Sequence, residues 1–199
     1  RIGRSRFFMR MWHKDLITAL PREQLVAQWR ELSSIAGNIN IKGTPNHILV
    51  NPVIEYPLSY FITYAAAVRA EMSRRGYRTM DKVWDKICSI CKDYTIFPIE
   101  EIYKGWMDKD YMKICYYNLF EKFLRGGITE KDWSNIKSAY AIYLSKEFEK
   151  EQVVFGKIKK NEIDEVYNCY NIIRTKNDIT FEDLKLLRLI NAEAELLSQ

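Results

Sequence analysis

From Arg22 to Ile35 no helix-breaking residue occurs, and Leu25, Trp29, Leu32 and Ala36 recur at spacings of four, three and four. That period puts them on one stripe of a helix, with Arg30 and Glu31 on its flanks. Proline is pre-organised for a first helical turn, so Pro21, three residues after Thr18, marks the start and Gly37 the expected stop. Asn38 to Pro57 is rich in Asn, Gly and Pro and reads as a long loop rather than a helix. An alanine-rich helix is expected from about Pro57 to Arg75, apolar over most of its surface as a central helix would be, and ended by Gly76. The pattern predicts further helices at about 79–92, 108–125, 130–151, 160–175 and 181–197. Thr129 with Asp132, and Thr180 with Asp183, are spaced as N-caps with an acid three residues on. The fold class is therefore all-α.

With 47% hydrophobic and 29% charged residues in 199, the composition is that of an ordinary globular chain with an adequate core, which excludes general disorder. No apolar run approaches the roughly 18–20 residues that a membrane span needs, so no membrane partner is expected. The four cysteines come without a recognisable secretory leader, which points to an intracellular, reducing compartment. Cys88 and Cys91 form a lone CxxC with no second pair, and they read as buried thiols in a helix rather than as metal ligands. His47, in a loop with no paired carboxylate nearby in sequence, reads as structural.

Charge is uneven. Residues 1–80 hold twelve Lys and Arg against five acids, +7, and residues 81–199 nineteen against twenty-one, −2. A basic half rich in arginine suits a phosphate-bearing partner. Tyr111, Tyr116 and Tyr117, in the helix expected at 108–125, are of a type that stacks on bases, but aromatics at helical spacing are the usual material of a core. The chain opens on Arg rather than Met, so its first residue is not expected to be the translated start. Arg1 to Lys14 holds five basic residues and no acid, the pattern of a targeting leader, a nucleic-acid arm or a cloning-derived segment, with an organelle or a virion as the corresponding location.

One stretch carries a more specific signal. Leu25, Ala27, Trp29, Arg30, Glu31 and Leu32, preceded by Met9-Arg10-Met11-Trp12-His13, resemble the amino-terminal end of the pyrimidine-dimer DNA glycosylases of the phage endonuclease V type. Thr44 to Leu49 and Tyr56 to Tyr77 are similar to the loop and second helix of that family, and Tyr111 to Ile128 gives a weaker echo. The resemblance implies a compact orthogonal helix bundle over residues 9–128. Residues 1–8 would be an N-terminal extension and residues 129–199 an additional C-terminal helical extension, available for docking a protein partner.

It also implies a chemistry. Members use the free α-amine of the mature N-terminus as nucleophile on C1′ of the damaged nucleotide, form a Schiff base and then act as an abasic-site lyase, without a cofactor or metal. Carried over residue by residue, Arg10 stands at the nucleophile's place and Glu31 at that of the acid assisting sugar opening and elimination. Arg30, with Arg22, His13 and Lys42, would contact damaged double-stranded DNA. Three positions depart from the family pattern: Arg10 replaces a small residue, Ser34 a second phosphate-binding Arg, and Arg1 to Phe8 precede Met9. An internal amide nitrogen is not a nucleophile, so this chemistry requires removal of the extension. The alternatives are a non-catalytic nucleic-acid-binding or structural component built on the same scaffold, a lyase using a lysine such as Lys14, and a chance likeness over a helical interaction protein.

Overall fold

The computed structural model describes residues 10–151. Among these are five α-helices, α1 (Arg22–Lys42), α2 (Leu58–Arg74), α3 (Asp81–Cys88), α4 (Lys109–Leu124) and α5 (Glu130–Glu151), two 3-10 helices (Lys14–Ala19 and Asn51–Glu55), and no strand. The fold is all-α. None of the described helices is long and apolar enough to cross a membrane. The helices expected at 160–175 and 181–197, the Thr180–Asp183 pair and Arg1 to Phe8 lie outside the described residues. The chain divides into two units, Arg1–Ile136 and Lys137–Gln199. In the second, Tyr140, Tyr143 and Leu144 of α5 are buried, and the Ser145 hydroxyl donates to the Ala141 carbonyl at 3.1 Å.

In the first unit α1 packs on α2 and α3. Its buried stripe is the expected one, Leu25, Trp29, Leu32 and Ala36, but it continues to Ile39, and the helix does not stop at Gly37. Gly37 is internal to α1, with the end of the Lys86 side chain of α3 beside it. Glycine inside a helix costs about 1 kcal/mol, and burial of the Ile39 side chain more than offsets it. The stop is Gly43, at φ +71°, whose N–H donates to the Ile39 carbonyl. The stretch read as a loop from Asn38 is thus helical to Lys42 and again, as a 3-10 turn, at Asn51–Glu55.

The central helix forms as expected. Phe61, Ile62, Tyr64, Ala65, Val68 and Met72 of α2 are buried, and Gly76, at φ +74°, follows its end. Thr129 caps α5 as its spacing predicts, its hydroxyl accepting from the Asp132 N–H at 3.1 Å. Trp133, one turn on, stacks against Phe120 and Phe123 of α4. α3 is shorter than expected: Cys88 is its last residue and Cys91 lies beyond it, both half-buried rather than in the core.

Near the C-terminal end of α2, Glu71 is almost fully buried between two arginines. Burial alone would push its carboxyl up, but hydrogen bonds from Arg74 and Arg75 outweigh that and hold it below the usual carboxylate range. Arg75 also donates to the carbonyls of Leu20 at 2.7 Å and Thr18 at 2.8 Å. It thereby fastens the chain just ahead of α1 to the end of α2.

Arg75→Ala removes one of the two guanidinium donors of a buried carboxylate and the donor of two carbonyls, and is expected to cost about 2–4 kcal/mol in urea unfolding at pH 7. Arg74→Ala, at a side chain 67% exposed, is expected to cost much less. Because the Glu71 carboxyl is depressed when folded, its contribution is present above the unfolded value of about 4.5 and lost as pH falls below it. The difference between wild type and Arg75→Ala should therefore narrow in acid.

Candidate active site

The chain ahead of α1 does not run over the surface. Met11, Trp12 and His13 are buried, with no regular secondary structure of their own, between α1, α2 and α4. At their upstream edge Arg10 is half-buried, its guanidinium 5.5 Å from the centre of the Trp12 ring. Here a half-open cleft of about 900 Å³ is lined by Arg10, Trp12, Arg22, Glu23, Gln24, Val26, Ala27, Arg30 and Glu31 on one side and by Asn118, Glu121, Lys122 and Arg125 of α4 on the other. That is the size of a ligand site. Five cations stand against three acids, one of which, Glu121, is already bonded to Arg125 at 2.5 Å.

Glu31 is the unusual group in the cleft. Burial raises its carboxyl from an ordinary 4.5 to about 7, against the opposing pull of the Arg10 backbone N–H, which hydrogen-bonds it, and of the Arg10 and Lys122 charges. A carboxyl held near neutrality is both a proton donor and a proton acceptor at the pH of a cell. Its perturbation by burial, in a cleft and beside a named backbone nitrogen, is the pattern of a functional site.

The expected site residues separate into two groups. Arg10, Glu31, Arg30 and Arg22 all line the cleft, with Arg22 also 5.5 Å from the centre of the Tyr77 ring. His13 and Lys42 do not. His13 is fully buried, its Nε2 2.8 Å from the Met107 carbonyl and its Nδ1 accepting from the Asp15 N–H at 3.2 Å. Burial, the main cause, pushes its pKa below the ordinary value, against the opposing pull of the Asp15 carboxylate 3.4 Å from Nδ1. His13 is a core group, not a surface for DNA. Lys42 is exposed in the last turn of α1, roughly 16 Å along the axis from Glu31, where positive charge suits the helix end.

Lys14 is also apart from the cleft. Its ammonium donates to the carbonyls of Glu100 at 3.0 Å and Ile102 at 2.6 Å, which ties it to structure. Tyr116 is buried and Tyr111 half-buried, its hydroxyl donating to the Met11 carbonyl, so these two serve the core. Asn118, Lys122 and Arg125 were not among the expected site residues. Lys122 lies 91 positions from Glu31 in sequence, and only the packing of α4 brings it to the cleft.

Comparison with known proteins adds one finding. Residues 9–85 match the family model of the pyrimidine dimer DNA glycosylases. The match takes in both 3-10 helices, α1, α2 and most of α3, and stops short of α4. Neither the curated proteins nor the solved structures compared with the chain give a match. Glu31, Arg30, Arg22 and Arg10 all fall inside the matched segment, Met9 to Asp85, over which the chain is similar to the pyrimidine dimer DNA glycosylases.

Proposed function

We propose that the chain excises pyrimidine dimers from double-stranded DNA and nicks the resulting abasic site through a Schiff base at the α-amine of a chain that begins at Arg10. The observation that carries this reading is the pairing of the Arg10 backbone nitrogen with a carboxyl whose pKa is about 7, on the wall of a basic cleft. Cleavage before Arg10 turns that nitrogen into a primary amine. An α-amine has an unperturbed pKa of about 7.7–8, so a useful fraction is neutral and nucleophilic at cellular pH.

The steps balance without a cofactor. The amine adds to C1′, the glycosidic bond breaks, and the departing base takes the proton released from nitrogen. Protonated Glu31 gives its proton to the ring oxygen as the C1′–O4′ bond opens, leaving an iminium. Glu31, now a carboxylate, removes a proton from C2′, and that electron pair expels the 3′ phosphate. One group serves as acid and then as base, for which a pKa near 7 is suited. Arg22, Arg30, Lys122 and Arg125 supply the charge that phosphates require, and displacing a damaged nucleotide from the stack costs a few kcal/mol that these contacts offset.

Borohydride trapping on a duplex with one abasic site, followed by mass mapping, tests the reading. An adduct at the Arg10 nitrogen of protein processed to that residue is expected; an adduct at a lysine, or none, overturns it. Glu31→Gln should lower strand cleavage about 100-fold or more while binding to the same duplex changes little. The same variant tests the pKa independently of activity. A carboxyl raised from 4.5 to about 7 on folding destabilises the native state progressively as pH rises between those values. Glu31→Gln is therefore expected to be more stable than wild type by about 1–3 kcal/mol at pH 8, and equal to it near pH 4.

A further inference from the structure

Arg10 to His13 form an irregular segment in a protein interior, where each backbone donor and acceptor needs a partner. The partners are side chains from three helices. The Gln28 side-chain amide spans the segment, its Nε2 donating to the Arg10 carbonyl at 3.0 Å and its Oε1 accepting from the Trp12 N–H at 2.8 Å. It meets alternate residues as the peptide group of an adjacent strand would. Tyr64 of α2 donates to the Trp12 carbonyl at 2.7 Å, and Tyr111 of α4 donates to the Met11 carbonyl. The His13 N–H is directed at the Cys115 sulfur at 3.3 Å.

Gln28 lies three residues before Glu31, hence on the same side of α1. Residue 10 is thus gripped at both ends from one helical turn: its carbonyl by Gln28 and its nitrogen by Glu31. We infer that Gln28, Tyr64 and Tyr111 are positioning residues that hold the nitrogen of residue 10 against Glu31. This rests on the Schiff-base reading above. Each of these bonds is made from residue 10 onward, so the grip persists when everything before Arg10 is removed. A short chain end left to itself would sample many orientations, and placing a reacting atom about 1 Å away from its productive position can lower a rate roughly 100-fold.

The test uses protein processed to Arg10 and complete to Gln199, in wild-type, Gln28→Met and Tyr64→Phe forms, with single-turnover imine trapping and duplex binding measured side by side. Expected are a trapping rate lowered about 10- to 100-fold in Gln28→Met and less in Tyr64→Phe, with affinity for the abasic duplex within about twofold of wild type. In the full chain, Gln28→Met should also accelerate hydrogen exchange at the Trp12 amide while the α2 amides keep their protection. Tyr64→Phe removes one oxygen and keeps the ring, so it serves if Gln28→Met does not fold. Wild-type trapping rates in both variants would overturn the inference and leave the proposed function standing. Rate and affinity falling together in Tyr64→Phe would show a purely structural role and overturn it as well. Absence of an adduct from the wild-type protein would instead overturn the proposed function, and with it the reaction these residues would position.

Discussion

An irregular backbone segment inside a protein has to be hydrogen-bonded by something other than secondary structure, and leaving one of its groups unmet costs about 1–3 kcal/mol. Met11 to His13 impose that constraint here. Gln28 and Tyr64 are polar groups buried in the core, and their presence on α1 and α2 follows from what they hold. α4 is drawn to the same place through Tyr111 and Cys115, bringing Lys122 and Arg125 to the cleft on the way. The second wall of the site is thus a by-product of satisfying the first strand of chain.

The same packing sets the electrostatics. Glu31 is partly desolvated, and the Arg10 N–H and the nearby positive charges of Arg10 and Lys122 only partly compensate. A carboxyl in that state is a local disadvantage for folding, and such disadvantages are characteristic of sites selected for chemistry rather than stability. Glu71 is the contrasting case: also buried, it is met by two guanidinium groups that it holds by hydrogen bonds, and its shift runs the other way. Direct donors make the difference between the two carboxyls.

What could be read from sequence was local. The α1 stripe, the capped start of α5 and the span of α2 follow from spacing within a few turns, and Arg30 with Glu31 stood out because their immediate neighbours form a recognisable motif. Gly37 misled because glycine is a stop signal only where no apolar stripe continues past it, and Ile39 continues this one. The resemblance puts His13 at the DNA, yet it is buried against Met107 and Cys115, about a hundred positions away. Lys122 and Arg125 were illegible for the same reason. Pairings of that range leave no periodic trace in one chain.

The hydrogen bonds at residue 10 run through its main chain, while its guanidinium lies over Trp12. Where the atom sits is thereby separated from which amino acid supplies it. Substitution at this position changes the cleft's lining and leaves the hydrogen bonds of the main chain in place. The side chain at residue 10 sets the charge of the cleft, while Gln28 sets where the main chain lies.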